Sequence, residues 1–197
     1  MEIVLASGNM HKKMELEKIL SNHTLLLPSD LGISFDCDET GKTFLENALL
    51  KAETLYELVK RPVLADDSGL CVAALDGAPG IYSARYGSEE GQANLSDSDR
   101  NKLLLSQIET AKNRDAYFIC TMALIVDPYR VFTVQESFPG SISRTAFGGG
   151  GFGYDPVFVE PVSGKTVAEL PEDEKNRISH RGRAGRRMNA ILEDLND

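Results

Sequence analysis

Two adjacent carboxylates, Asp66 and Asp67, follow a short apolar run that we predict to be a β-strand over residues 63–65. Open α/β sheets usually bind ligands beyond the carboxyl ends of their strands, and neighbouring acids there are costly unless a cation compensates them. Because successive side chains of an extended segment point to opposite sides, we expect one of the two to reach a metal ion while the other braces the loop. The pair therefore indicates a divalent-cation site, with a solvated acidic turn as the alternative.

Three further features could complete such a site. Glu39, in an acidic run, could be a second oxygen ligand for Mg²⁺, which typically takes one or two carboxylates together with substrate phosphates. Lys51 falls at the edge of the apolar stripe of a helix predicted over residues 43–59, where a lysine either binds an anion or extends to the surface. The turn at residues 7–12 joins a strand to a helix, so its amides and Lys12 could face a phosphate group. Taken singly, each feature has a plainer explanation as a helix cap or a surface charge.

Two later segments could bind the rest of a nucleotide. The glycine-rich residues 148–155 carry two aromatic rings, Phe152 and Tyr154, and the carboxylate of Asp155, a composition suited to close approach by a flat ligand. Residues 175–187 hold six cations, which form either a solvated face or an anion-recognition segment. These cations are Lys175, Arg177, Arg181, Arg183, Arg186 and Arg187. Taken together, the segments predict a nucleotide site with Mg²⁺.

Two glycine patterns that often mark nucleotide sites fail here on their context. The Gly-Lys-Thr triplets at residues 41–43 and 164–166 lack the earlier glycine of a P-loop, since Asp36 and Val159 stand in its place. The glycines within residues 148–153 match the dinucleotide-binding spacing, but we predict a strand after them where that fingerprint requires a helix. Neither a P-loop nor a Rossmann site is predicted.

The elements that must position these residues alternate between strands and helices. The hydrophobic spacing predicts strands over residues 2–6, 63–65, 116–126, 130–137 and 157–159, and helices over residues 12–20, 43–59, 94–108 and 179–195. A turn at residues 127–129 makes a hairpin of the third and fourth strands. An α/β fold with a mixed sheet follows. Without an internal repeat or a linker, we expect one domain over residues 1–197.

Composition excludes several classes of protein. A net charge of −9 and a pI near 4.9 argue against nucleic-acid binding, because most of the surface would repel a polyanion. The apolar runs fall short of the ~20 residues that a membrane helix needs, and the N-terminus lacks a basic signal-peptide start, so we expect a cytoplasmic protein. The three cysteines are too far apart for a zinc site or a disulfide scaffold and are expected to be buried thiols.

Six segments carry a more specific signal through their order along the chain. They are Ser7-Gly8-Asn9 with Lys12, and residues 43–52, 65–70, 77–86, 152–156 and 179–182. In this order they resemble the motifs of the inosine triphosphate pyrophosphatase family, and the resemblance runs from about residue 3 to residue 192. The family usually has threonine at Ser7, but the hydroxyl is retained, whereas the acidic residues 87–99 match only loosely.

The family resemblance implies more than composition and spacing can give. It implies a long mixed central sheet flanked by helices, two lobes enclosing an active-site cleft, and subunits that pair as homodimers. The implied reaction converts ITP, dITP or XTP to the nucleoside monophosphate and pyrophosphate, with Mg²⁺ and no other cofactor. Two alternatives stay open: a related pyrophosphatase of the septum-inhibitor type acting on modified pyrimidine or methylated nucleotides, and a nucleic-acid-binding module built on residues 175–187.

The resemblance also assigns roles to individual residues of this chain. Asp67 would be the general base for the attacking water, and Glu39 and Asp67 would hold the metal. The phosphate contacts would come from Ser7, Gly8, Asn9, Met10, His11, Lys12, Lys51 and Lys175. The remaining substrate contacts would come from Ser68, from Phe152, Gly153, Tyr154 and Asp155 around the base and sugar, and from His180 and Arg181 at the purine edge.

Overall fold

The computed structural model describes residues 1–88 and 93–195 of the chain. Residues 89–92, in the acidic segment at 87–99, lie outside the described residues. The strands are β1 (Glu2–Leu5), β2 (Thr24–Leu26), β3 (Val63–Val72), β4 (Asp115–Asp127), β5 (Arg130–Ile142) and β6 (Phe158–Val159). The helices are α1 (Met10–Ile19), α2 (Phe44–Val59), α3 (Asp97–Gln107), α4 (Glu172–Ile178) and α5 (His180–Asp194).

The described strands form a mixed sheet in the order β2-β1-β3-β4-β5-β6. Strand β1 pairs in parallel with both β2 and β3, so that Val4 lies opposite Val63 and Leu5 opposite Leu64. At the other edge, β6 pairs antiparallel with β5. Helices α1 and α2 connect parallel strands, as a parallel pair requires a crossover. The predicted α/β class with a mixed, helix-flanked sheet is confirmed.

Side-chain caps fix the starts of helices α1 and α2. The Thr43 hydroxyl accepts a hydrogen bond from the Glu46 amide at 3.1 Å, and the Asn9 side chain accepts one from the Lys12 amide at 3.2 Å. These bonds satisfy amides that have no partner within the helix. The caps place Lys12 in the first turn of α1 and fix the helical register that carries Lys51 on the buried side of α2.

The described chain divides into two compact units. The first comprises Met1–Ser68, Cys120–Glu136 and the described residues from His180 onward. Its core lies on the two faces of β1, with Leu16 and Met188 packed on one side and Ala48 and Leu55 on the other. The close packing of α5 on α1 depends on Gly185, since a Cβ there would meet the Ile19 side chain at 3.0 Å.

The second unit comprises the described residues of Gly69–Ile119 together with Ser137–Ser179. Its core is built around the fully buried ring of Phe158, whose centroid lies 4.5 Å from that of Phe118 and 5.4 Å from that of Phe138. Aromatic rings at such separations add attraction beyond the area they bury. Phe158 belongs to the short strand β6, so this core fixes the segment that follows the glycine-rich residues.

Strand β3 departs from the sequence prediction in a way that matters for the site. We predicted that it ends at Ala65 and that Asp66 and Asp67 follow it, but the strand continues to Val72. Both aspartates therefore lie within a strand, and both are buried. Lys12 and Arg181 pair with Asp66, and Lys51 pairs with Asp67. Because these cations compensate the buried charge, the strand can continue through residues of low β-propensity. Strand β5 also runs past its predicted end at residue 137, because Ser141 and Ile142 pair with β6.

The cysteines are free thiols, of which Cys71 and Cys120 are buried as expected while Cys37 is partly exposed. Within residues 1–88 and 93–195, no helix combines the length and apolarity needed to cross a bilayer.

Gly140 provides a test of the packing in the second unit. A Cβ at this position would press on the Val159 carbonyl oxygen and lie 2.6 Å from the Phe158 ring. We expect Gly140→Ala to lower the free energy of unfolding by about 1–3 kcal/mol, because backbone and a packed ring cannot easily yield. Urea unfolding followed by circular dichroism measures the change.

Gly149→Ala is the matched control, since a Cβ there meets nothing within 4 Å. Its urea midpoint should stay close to that of the unsubstituted protein. Equal midpoints for the two variants would contradict the tight packing of β5 on β6.

Candidate active site

The predicted site residues fall into two groups, one within each unit. The first unit holds the turn at residues 7–12, Glu39, Lys51, Asp67, Ser68, His180 and Arg181. The second holds residues 152–155 and Lys175.

The turn before α1 is shaped by its own side chains. The Ser7 hydroxyl accepts a hydrogen bond from the Asn9 amide at 3.0 Å, while Asn9 caps the helix. Gly8, Met10 and His11 are exposed. An exposed helix start offers amide donors and a positive dipole end, which suits an anion such as phosphate.

Asp66 lies at the centre of a buried group of polar side chains, and its carboxylate has no exposed surface. Its Oδ1 atom accepts hydrogen bonds from Lys12 Nζ at 2.5 Å and from the Ser68 hydroxyl at 2.6 Å. Its Oδ2 atom accepts from Arg181 Nε at 2.9 Å and from the Cys120 thiol at 3.1 Å. Burial alone would raise the pKa of Asp66, but the charges of Arg181 and Lys12 outweigh burial and hold the pKa well below its usual range.

Asp67 has different surroundings, since its side chain leaves the strand on the opposite side. Its Oδ1 atom accepts a hydrogen bond from Lys51 Nζ at 2.7 Å, and the same ammonium group lies 2.8 Å from Glu39 Oε1. Burial raises the pKa of Asp67 above its ordinary value, although the Lys51 charge acts against this. Burial would lower the pKa of Lys51, but the two carboxylates raise it. The Lys51 ammonium also donates to the Asp66 carbonyl at 2.9 Å.

The second carboxylate oxygen of Asp67 distinguishes the two aspartates. Asp67 Oδ2 is buried and has no hydrogen-bond partner among the described residues. A buried acceptor without a partner carries a desolvation cost, which a bound cation or hydrogen-bond donor would offset. Asp67 and Glu39 converge on one ammonium group, so their oxygens are close enough to share a cation.

The donor set at this position fits Mg²⁺. Within residues 1–88 and 93–195, no group of three His, Cys, Asp or Glu side chains could hold a metal ion by itself. Mg²⁺ does not need such a group, because it is usually bound by one or two carboxylates that act together with substrate phosphates and water. Asp67 and Glu39 supply that number of carboxylates. The Asp67 Oδ2 atom, which has no hydrogen-bond partner, has lone pairs available for a metal ion.

Arg181 is buried at the start of α5, next to buried His180. Its guanidinium group donates to Asp66, to Glu15 Oε2 at 2.8 Å and to the Ser68 hydroxyl at 2.8 Å. The pKa of Arg181 is raised because Asp66 and Glu15 more than offset the burial that would lower it. The guanidinium plane is therefore fixed from three sides, and it in turn orients Ser68.

In the second unit, Lys175 is a buried link between two residues of the glycine-rich segment. Its ammonium lies 2.7 Å from Asp155 Oδ2 and 4.7 Å from the centroid of the Phe152 ring. The same Asp155 oxygen accepts a hydrogen bond from the Phe152 amide at 2.9 Å. A desolvated cation over an aromatic face is attracted by the ring, so this arrangement fixes both the ring and the backbone before it.

The other two residues of this segment are held from α3 and from within the core. Gly153 has a positive φ of 63°, and its carbonyl accepts a hydrogen bond from the Asn101 side chain at 3.0 Å. Its amide donates to Asp97 Oδ2 at 2.6 Å. The Tyr154 hydroxyl is buried and donates to the Ser83 carbonyl at 2.9 Å. The Tyr154 ring therefore packs in the core, and the exposed part of the segment is formed by its neighbours.

Sequence reasoning missed several residues that shape these groups. Glu15 and Cys120 contact the Asp66 group, and Asp97 and Asn101 hold Gly153. One signal was available, since Glu15 occupies a buried position of α1 beside Leu16, where an acid requires a partner. The thiol contact carried no such signal because Cys120 and Asp66 are 54 residues apart.

Comparison with known proteins identifies the family to which the chain belongs. The model of the Ham1 family matches residues 3–191. This chain belongs to the Ham1 family. It is 54% identical over 184 residues to a protein of Treponema denticola named dITP/XTP pyrophosphatase. The match covers 93% of this chain and 94% of the relative. One of Legionella pneumophila with the same name is 45% identical over 198 residues, covering 98% and 99%.

Solved Ham1 structures share the fold. The Staphylococcus aureus Ham1 protein matches with a TM-score of 0.88 and 39% identity, covering 99% of this Ham1-family chain and 100% of that one. A HAM1 protein from Coxiella burnetii matches with a TM-score of 0.89 and 38% identity, covering 98% and 99%. These matches confirm the family resemblance that the sequence motifs indicate. The roles of individual site residues stay predictions.

The stability of this Ham1-family chain should depend strongly on the charge of Asp66 and only weakly on that of Asp67. Because the pKa of folded Asp66 lies below the ordinary 3.8, its ionised form stabilises the fold above that pH and loses this effect as the pH falls. We expect Asp66→Asn to lower the free energy of unfolding at pH 7 by about 3–5 kcal/mol, since it leaves buried cations without their partner.

Asp67→Asn is the matched control one residue further on. The raised pKa of Asp67 means that its ionised form costs folding free energy at pH 7, and Lys51 keeps Glu39 as a partner. Its unfolding free energy should change by about 1 kcal/mol or less. Urea unfolding of both variants at pH 7 measures the contrast, and equal losses would refute the assignment of different roles.

Proposed function

We propose that this chain hydrolyses non-standard purine nucleoside triphosphates, namely ITP, dITP and XTP, to the nucleoside monophosphate and pyrophosphate. Such an activity would remove these nucleotides from the pool and prevent their incorporation into DNA and RNA. The observation that carries the proposal is the buried, unpartnered Oδ2 atom of Asp67, whose Oδ1 atom shares the Lys51 ammonium with Glu39. The printed name of the curated relatives, dITP/XTP pyrophosphatase, supports the substrate class.

The proposed cofactor is Mg²⁺, and the carboxylates of Asp67 and Glu39 would be its protein ligands. When bound, it would supply positive charge to the phosphates and polarise an attacking water.

The chain's own residues would bind and orient the triphosphate. The exposed turn at Gly8, Met10 and His11 and the dipole of α1 would face its oxygens, and Lys12 and Lys51 would add positive charge. Asp67 Oδ2 would accept a proton from the water, because it has no hydrogen-bond partner and its raised pKa makes it a better base than an ordinary aspartate. Asp66 is unsuited to this step because its oxygens are occupied and its pKa is low.

The base would bind through the second group of residues. Lys175 lies over the Phe152 ring, and a flat purine could stack on that ring from its other face. This assigns Lys175 a place beside the base rather than solely at the phosphates. His180 and Arg181 remain the proposed donors to a 6-keto oxygen, which hypoxanthine and xanthine carry and adenine lacks. Rejection of guanine would follow if its 2-amino group met no acceptor.

We further propose that the protein acts in the cytoplasm as a homodimer. The dimer is implied by the family resemblance that the motifs carry. Size-exclusion chromatography with light scattering distinguishes one copy of the 21.6 kDa chain from two.

A panel of nucleotides tests the proposed substrate class. Purified protein with Mg²⁺ should cleave ITP, dITP or XTP to monophosphate and pyrophosphate at least ~100-fold better than ATP, GTP or dUTP.

Asp67→Asn should lose about 10³-fold or more in kcat/KM, because it removes the proposed base. Ion-exchange chromatography quantifies both products. Preference for ATP, or for a modified pyrimidine, would move the assignment to another class of pyrophosphatase.

The role of Glu39 is tested by metal titration. Glu39→Gln should raise the Mg²⁺ concentration needed for half-maximal activity by about tenfold or more, because one of two anionic ligands is lost. Asp38→Asn is the matched control, since Asp38 is the exposed neighbouring acid. If both variants shift the titration alike, general negative charge rather than a specific ligand is responsible.

A further inference from the structure

Asp66 touches four groups that the substrate-binding scheme requires. Its carboxylate contacts Lys12, Ser68 and Arg181, and its carbonyl oxygen accepts a hydrogen bond from Lys51. These groups come from three helices and from β3 itself. One residue in the middle of a strand therefore connects side chains that lie far apart in sequence.

The contacts are of a kind that fixes orientation. Arg181 presents a planar guanidinium whose Nε atom donates to Asp66 Oδ2, while two other nitrogens donate to Ser68 and Glu15. Lys12 and Arg181 are long side chains with many rotamers, and holding them in one rotamer takes a fixed partner. Asp66 is such a partner because it is anchored in a central strand and has no exposed carboxylate surface.

We infer that Asp66 is a positioning residue, a buried anion that holds Lys12, Ser68 and Arg181 in one arrangement for the substrate. This inference rests on the proposed function and deepens it. Asp66 itself neither reaches the substrate nor accepts the proton, because donors occupy both of its carboxylate oxygens. The neighbouring carboxylates thus divide into one that arranges the site and one that faces the reaction.

The test compares turnover with anion binding in the Asp66→Asn variant of the full chain. With ITP and Mg²⁺, kcat should fall at least ~100-fold, because displacement of binding groups by about 1 Å costs that much. Binding of inorganic tripolyphosphate, measured by calorimetry, should not weaken, since the variant removes a negative charge near the anion. If Asp66 only stabilised the fold, kcat and tripolyphosphate binding would both fall in proportion to the fraction of folded protein.

Leu64→Ala is the matched control for stability. Leu64 is fully buried in the same strand, two residues before Asp66, and its loss leaves a cavity without removing any polar contact of the site. Both variants are assayed at a temperature where circular dichroism shows them folded. Leu64→Ala should keep kcat within about twofold of the unsubstituted protein. A similar loss of kcat in both variants, or wild-type kcat in Asp66→Asn, overturns the inference.

A second variant serves if Asp66→Asn does not fold. Glu15→Gln keeps the shape of a side chain that accepts a hydrogen bond from Arg181 on the side away from Asp66. It should lower kcat about tenfold with tripolyphosphate binding retained, and unchanged kcat overturns the inference. Failure of the proposed function has a different signature, since the unsubstituted protein would then cleave none of the nucleotides.

Discussion

The burial of charge on β3 is the constraint on which the site in the first unit depends. A desolvated carboxylate in the middle of a sheet is unfavourable by several kcal/mol unless cations and hydrogen-bond donors surround it. Asp66 meets this condition only when Lys12 of α1, Arg181 of α5 and the thiol of β4 all reach it. Docking of these elements and formation of the polar group are therefore the same event. The polar group specifies how the helices sit on the strand.

The alternation of side chains along a strand gives adjacent aspartates different chemistry. Asp66 faces a complete set of donors and has a low pKa, whereas Asp67 faces Lys51, retains an unpartnered oxygen and has a raised pKa. Two identical side chains thus become a fully paired anion and a carboxylate with one unpartnered oxygen through their position alone. The sequence reasoning anticipated that the two side chains point to opposite sides, although it placed both residues after the end of the strand.

The error about β3 shows where sequence reasoning ends. Periodicity gave α2, α5 and the β4–β5 hairpin, because their apolar positions repeat over many residues. The strand extension through Asp66 and Asp67 could not be predicted, since local propensity opposes it and only distant cations permit it. The three-residue strand β2 and the short, charged helix α4 were missed because neither is long enough to show a period. The motifs located the candidate site residues, but the contacts of Glu15 and Cys120 depend on tertiary pairing.

Charge balance explains how an acidic chain could take a polyanionic substrate. Around β3, the cations Lys12, Lys51 and Arg181 are paired with the carboxylates Glu15, Glu39, Asp66 and Asp67, so this group carries one negative charge in excess. Such pairing raises the pKa of Lys51 and stabilises the fold without substrate. It also means that the side chains alone offer a triphosphate no net attraction. Because Coulomb repulsion between buried anions is strong, a divalent cation at Asp67 and Glu39 would be needed to reverse the sign. The metal requirement that we propose would thus follow from the same burial of carboxylates that organises the fold.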